Sequence, residues 1–397
     1  MKQNDKRETL RMTLPLAGVA LLAVAGLLAG PAAGEAAALP ADPPAADAGK
    51  AVEASKPAAA PGPVQLKVGD AVFRFGTLIQ AQADWTQDPV SSGYAQNLFI
   101  RRIRFIVGGQ VTKNVVFYFQ TENSNLGKVN ASGTKVISTG LQVLDASAEW
   151  RIAKEFNLWG GLFYAPTSRE AMKSASSEFE LDTSAYATLG TAALAGTGGR
   201  DTGFMARGYF LADRLEYRVG VFQGLRDTSS RNSFRTVTRL QYNVFDPEPY
   251  VTAAYTASYF GKKKILAIGA AYDTQKDYQA YSADVYADFP VPFGSVVATG
   301  TYQNIDGGTT VASLPKEQTY QLEAGVFFKE AKIGPWARWE RRNTPSDGTK
   351  TENRYLVGIN YYVYGTNLNL KAAYGRVEPK VVAGTNQFTL QLQAFYF

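Results

Sequence analysis

Along residues 71–85, AVFRFGTLIQAQADW, apolar and polar side chains alternate. Phe73, Phe75, Thr77, Ile79, Ala81, Ala83 and Trp85 share one face, and Arg74, Gln80, Gln82 and Asp84 share the other. Alternation over this length predicts a β-strand with one apolar and one polar face. The run from Leu98, LFIRRIRFIVGGQ, keeps the beat. Ile103, Phe105 and Val107 oppose Arg102, Arg104 and Gln110. Arg101 falls on the apolar parity near one end, where a long stem can carry its charge to an interface. VVFYFQTEN, LDASAEWRI, FRTVTRLQYNVF and NRYLVGINYYV repeat the pattern.

Such segments predict strands over 71–85, 97–111, 114–124, 140–153, 155–166, 201–211, 214–224, 233–245, 263–274, 280–290, 295–306, 317–329, 331–342, 351–363, 366–377 and 385–397, sixteen in all. YVTAAYTASYF, 250–260, is read as part of a long turn at 246–262, because bacterial single-chain barrels take an even strand number. The other connections alternate in length. Short ones such as VTKN, ADR and KEAK exchange with longer polar ones at 86–96, 125–139, 167–200, 225–232, 307–316 and 343–350. Short periplasmic turns and long external loops are the habit of a transmembrane barrel, with both termini on the periplasmic side.

A soluble β-sandwich also alternates, but one core serves sixteen such strands poorly. Closure into a barrel satisfies every backbone group in lipid. The expected fold class is therefore all-β, a transmembrane antiparallel β-barrel of 16 strands. Trp85, Trp150, Trp336, Trp339 and Tyr361 lie near strand ends and are assigned to aromatic girdles. In the closing run LQLQAFYF, Phe395 and Phe397 break the parity of Phe388, Leu390 and Leu392, which predicts a bulge or a register change near Ala394. A terminal aromatic, Phe397, suits recognition by the outer-membrane assembly machinery.

The N-terminus reads differently. Lys2, Lys6, Arg7 and Arg11 precede the apolar run Leu14–Gly30 and the small residues PAAGEAAA. This is the pattern of a secretory signal peptide, 1–34, with cleavage expected between Ala33 and Ala38. Residues 35–69 are mostly Ala, Pro and charged side chains, up to the start of the barrel domain at 70–397, and are expected to form a disordered periplasmic linker.

Composition narrows the chemistry. Among 397 residues there is no cysteine and no histidine. Disulfides, His/Cys zinc sites and imidazole-based triads are excluded, which removes the catalytic barrels that depend on histidine. No catalytic residue, metal site or cofactor is assigned. The net charge of +6 is spread along the chain, and no nucleic-acid partner is indicated.

Parity assigns Arg74, Arg102, Arg104, Arg151, Arg207, Arg218, Arg235, Arg239, Arg338, Arg354 and Lys371 to the lumen. Asp84, Glu122, Asp145, Glu149, Glu216, Asp284, Asp288, Glu323 and Glu340 stand against them. Rings of Arg favour anions, and the planar guanidinium holds two oxygens of phosphate at once. The first eight of these arginines are the pore-lining, anion-binding candidates, forming a basic stripe on one wall. The competing reading pairs them with the carboxylates as salt-bridge networks.

The chain resembles the phosphate-selective porin O and P family. The resemblance covers roughly 70–397 and rests on FIRRIRFIVGG with VVFYFQTE, LDASAEWRIAKEFNLWGGLFYAPTSREAMKSASSEFEL, YRVGVFQG, GKKKILAIGAAYDTQ, and the closing NRYLVGINYYVYGTNLNLKAAYGRV and FTLQLQAFYF. It implies a sixteen-stranded outer-membrane barrel, a homotrimer, and passive diffusion of small anions, phosphate or polyphosphate among them. It also implies that the third external loop enters the pore. Here that loop is 167–200, the longest, carrying Arg169, Lys173 and Arg200 as constriction candidates beside Glu170, Glu178, Glu180 and Asp182. The alternatives are a general, weakly selective or cation-preferring porin, or a structural barrel tethered through its N-terminal linker.

Overall fold

The structure is a computed structural model that describes residues 64–397 apart from 131, 138–139 and 250–253. The expected signal peptide and the linker up to residue 63 lie outside the described residues.

Seventeen strands form one antiparallel sheet. They are β1 Val64–Val68, β2 Ala71–Gln87, β3 Tyr94–Thr112, β4 Val115–Leu126, β5 Gln142–Ala153, β6 Phe156–Tyr164, β7 Arg200–Phe210, β8 Leu215–Phe222 and β9 Arg235–Asn243. They continue as β10 Ile265–Gln275, β11 Tyr278–Val291, β12 Gly294–Asp306, β13 Glu317–Phe328, β14 Ile333–Asn343, β15 Glu352–Tyr362, β16 Leu368–Pro379 and β17 Thr385–Tyr396. Each pairs with the next, and β17 closes on β2 from Gln387↔Thr86 to Tyr396↔Thr77. Sixteen strands, β2–β17, thus make a closed barrel in which no edge is left along the seam. The extra strand lies at the start of the described chain. It is β1, which pairs with the start of β2 from Val64↔Phe75 to Val68↔Ala71, where β17 has run out. The last residues assigned to the linker therefore form a strand and its turn, because Val64, Leu66 and Val68 extend the alternation of β2 across a Gly69 turn.

The apolar parity faces outward. Phe105, Phe204, Leu240, Ile268, Leu322 and Val357 are exposed, as a lipid-facing wall requires. The polar parity is buried inside. One girdle assignment is corrected: Trp336 is buried in the lumen, where its Nε1 donates to Oδ1 of Asn360 at 3.3 Å. It shares the parity of Arg338, not of Trp339. The expected bulge or register change near Ala394 is also absent, since β17 keeps one register with β2 and β16 throughout. The terminal aromatic instead turns inward. Phe397 packs against Gly76 and Gly108, where a Cβ would collide with it, and its ring lies 6.0 Å from that of Tyr118.

A bulge does occur where none was expected. Gln80 pairs with Arg102 but Ala81 pairs with Ile100, so Arg101 is the extra residue of β3. Bulges re-aim side chains. Here Arg101, placed on the lipid parity by simple alternation, points into the lumen beside Arg102.

Two segments fill much of the interior. The loop between β6 and β7 enters from the external mouth and carries two short helical turns, Glu170–Met172 and Leu189–Ala193. The long turn between β9 and β10 enters from the periplasmic mouth. They meet inside: Tyr255 donates its N–H to Met172 at 2.8 Å, and Ser174 donates to Tyr255 at 3.0 Å. Apolar side chains bind loop and turn to the wall. Met172 and Tyr255 pack with Trp159, Phe163, Met205 and Phe222, while Phe179 and Leu181 pack with Tyr286, Val297, Trp336 and Tyr362. The barrel thus owns an internal apolar core that strand alternation does not announce.

Candidate functional site: a two-sided lumen

The inserted segments divide the lumen into a packed sector and an open one. In the packed sector the arginines are sealed in ion pairs. Arg207 meets Glu149 at 2.5 Å, Arg218 meets Glu216 at 3.0 Å, and Arg239 meets Asp284 at 2.6 Å. Arg235 meets Asp273 at 2.6 Å and Asp201 at 3.4 Å. From the loop, Arg169 donates both terminal nitrogens to Glu248 at 2.8 Å, with its guanidinium 3.9 Å from the Tyr286 ring centre and 4.7 Å from that of Tyr255. All five arginines are at most 1% exposed. Buried pairs of this kind fix geometry and present no free charge.

The open sector is a route along the other wall. An outer chamber of about 570 Å³ lies against β2–β5, β14–β17 and the inserted loop. Arg101, Arg102, Arg104, Lys173, Arg200, Arg338, Arg354 and Arg376 line it, against Glu122, Asp182 and Glu340. Several of these cations have carboxylate partners at the wall: Arg104 with Glu122 at 2.5 Å, Arg200 with Asp145 at 3.1 Å, and Arg354 with Glu352 at 2.8 Å. Lys173 is held by Glu170 at 2.8 Å and by Glu180. The carboxylates of Glu170, Glu178 and Glu180 sit behind the chamber surface, so the loop's acidity is turned inward. Burial works against the charge of Glu180, but Lys173 and Arg338 hold its carboxyl down at about 2.

Next to the chamber, and sharing Arg104, Tyr164 and Arg200 with it, lies a neck of about 30 Å³ enclosed by these three with Tyr118, Gln120, Asp145, Ser174 and Ala254. That is room for a few water molecules at most. The loop contributes Ser174 and the periplasmic turn contributes Ala254, so both inserted segments form the neck. Arg200 stacks 3.7 Å from the centre of the Tyr164 ring, which fixes its fork across the gap. An inner chamber of about 390 Å³ follows, lined by Arg74, Tyr118, Glu149, Arg151, Trp159 and Phe397 among others. Arg74 is exposed there, and Arg151 reaches Glu149 at 3.1 Å.

The eleven sequence candidates thus separate. Arg102, Arg104, Lys173 and Arg200 border the outer chamber, and Arg74 and Arg151 the inner one. Arg207, Arg218, Arg235, Arg239 and Arg169 are enclosed in the packed sector. The supposed continuous stripe is broken, because loop and turn cover the wall from β6 onward to β13 and leave β2–β5 and β14–β17 facing the outer chamber. Arg101 and Glu248 escaped sequence reasoning. The first is hidden by a bulge, the second by a turn without periodicity. Two adjacent arginines inside a strand were the available signal for Arg101, since one must leave the lipid face. Among the described residues no group of acidic side chains is arranged to hold a metal ion.

Residues 75–245 match the family model of phosphate-selective porin O and P. The porin match spans β2 to β9 with the whole inserted loop and the bulged arginine pair. No curated protein matches the sequence. Solved structures do. OmpF of Salmonella typhi superposes with a TM-score of 0.56 at 14% identity, covering 84% of this chain and 100% of that one. The outer-membrane channel DcaP of Acinetobacter baumannii gives 0.54 at 10% identity, covering 85% and 100%. OmpT of Vibrio cholerae, in a form described as a trimer, gives 0.52 at 10% identity, covering 82% and 99%. At these identities the likeness is one of fold. With the porin match it supports an outer-membrane channel.

Proposed function

We propose that this chain is an outer-membrane porin giving passive diffusion to small anions. The observation that carries the reading is the charge of the open route. Eight cationic side chains and three carboxylates face its outer chamber, and two cations and one carboxylate its neck; each of these cations has a carboxylate within 4.0 Å, and it is mostly the cation of the pair that meets the water. Positive charge lining a narrow aqueous passage favours anions. The packed sector adds nothing to selectivity, because its arginines are buried away from water. Phosphate enters as a test anion through the family name and through the fit of guanidinium forks to its oxygens.

The neck sets the size limit. Passage of a solute larger than water requires Arg104, Tyr118 or Arg200 to turn aside, so the channel is a narrow one. A homotrimer is part of the proposal, supported by the trimeric form of the Vibrio cholerae relative in fold. Recognition of Phe397 by the assembly machinery, before the residue packs against Gly76 and Gly108, is another part.

The test is the zero-current potential of the purified protein in a planar bilayer under a KCl gradient, repeated with added phosphate. A chloride-directed potential with block by phosphate supports the proposal. A potential near zero or directed to potassium favours the general or cation-preferring porin, and absence of conductance favours a structural barrel.

A further inference from the structure

The bulge in β3 places two guanidinium groups on one carboxylate. Arg101 donates to Oδ2 of Asp182 from Nε at 3.0 Å and from Nη2 at 2.7 Å, and Arg102 donates to Oδ1 from Nη2 at 2.5 Å. The carboxylate belongs to the inserted loop, not to the wall that carries the arginines. The contact is also open to the route. Side-chain exposure is 22% for Arg101 and 33% for Asp182, against 0% on both sides for Arg169–Glu248. A pair serving only to anchor the loop has no need of a wet face. This one borders a chamber of about 570 Å³, within the ~300–1,000 Å³ typical of small-molecule sites.

We propose that the Arg101–Arg102 pair is a binding station for the carboxylate of an organic anion, and that Asp182 is its resident stand-in, exchanged for the solute during passage. The inference rests on the anion-porin reading and names a substrate class for it. Asp182 shows which group the station fits: a planar anion with two oxygens, each taken by a different guanidinium. Paired forks of this type are the preferred partners of carboxylates. Exchange of one carboxylate for another never leaves the arginines bare, so the solute neither meets nor leaves an uncompensated charge. Arg102 keeps a second hold on Gln80 at 2.8 Å, which preserves its position while Asp182 is displaced. Arg354 and Arg376, paired with Glu352 at 2.8 Å and Glu378 at 2.7 Å, line the same chamber and can take a second carboxylate by the same exchange.

The test uses the full chain in planar bilayers, with block of the chloride current by succinate and by inorganic phosphate measured in wild type, Asp182→Asn and Arg101→Gln. Asp182→Asn removes the competing charge at constant shape. The half-blocking concentration of succinate is expected to fall about tenfold, with a smaller change for phosphate. Arg101→Gln is expected to raise it by a similar factor, and decides the matter alone if the other variant does not fold. Unchanged succinate block in both variants, with a wild type that stays chloride-directed, overturns the station and leaves the anion porin standing. An equal gain for phosphate overturns the assignment to carboxylates. A wild type that is not chloride-directed overturns the porin reading and the station together.

Discussion

Glu178 sits in the inserted loop with one carboxylate oxygen taking the Thr183 hydroxyl and the other without a partner. Burial, helped by Asp182 and Glu180 and opposed by Arg102 and Lys173, pushes its carboxyl up to about 7 from an ordinary 4.5. A raised carboxyl favours the neutral form. Its contribution to the fold is full below the ordinary value and is lost as pH climbs through about 7. Ionisation also places a new negative charge behind Arg102. The preference for chloride over potassium is therefore expected to decline between roughly pH 6 and 8, and Glu178→Gln should flatten the profile. Reversal potentials across that range check it; a wild-type profile as flat as that of the variant would refute it. At this scale the sequence was legible wherever strand parity held: Arg102, Arg104, Glu122, Asp145 and Glu323 all face the lumen as assigned. Parity could not tell which of them would be sealed. That depends on Glu248, Asp182 and Tyr255, whose positions arise from chain that has no period.

Among the elements, the inserted loop depends on a seat in the wall. Phe179 lies over Gly325 of β13 and Gly334 of β14, and a Cβ at either position would collide with its ring. Both glycines pair in regular strands, so their purpose is space and not a turn. Gly325→Val should leave the barrel closed but lift Phe179, and with it the Glu178–Asp182 stretch that forms the chamber wall. Single-channel conductance is expected to rise while heat-resistant migration of the barrel on gels is retained; unchanged conductance would show that the seat is dispensable. Strands were readable to within a few residues because lipid on one side and water on the other impose period two. The β3 bulge and the inward turn of the periplasmic segment were not readable. Each answers to a partner remote in sequence, Asp182 for the first and Met172 for the second.

For the whole molecule, the proposed anion preference rests on the cations that face the water along one side of the lumen. Their field acts over a distance that salt shortens, from ~10 Å at 0.1 M to ~3 Å at 1 M. Contact pairs in the packed sector are little affected, whereas the open chamber loses its long-range pull. The chloride-to-potassium permeability ratio should therefore fall towards unity as mean KCl rises from about 0.1 M to 1 M at a fixed gradient. A ratio that holds steady would place selectivity at direct contacts in the neck instead. The number of strands and their closure could be read from the chain because they follow from a repeated local rule. The division of the lumen could not, since it is set by how two irregular segments share one cavity.

The meeting of those segments has a consequence in time. One enters from each mouth, and they are joined where Lys173 and Tyr255 run side by side. Each reaches that point through its own mouth, so the backbone bonds between Met172, Ser174 and Tyr255 form only once both segments are inside, and whichever arrives first waits for the other with those groups unpaired.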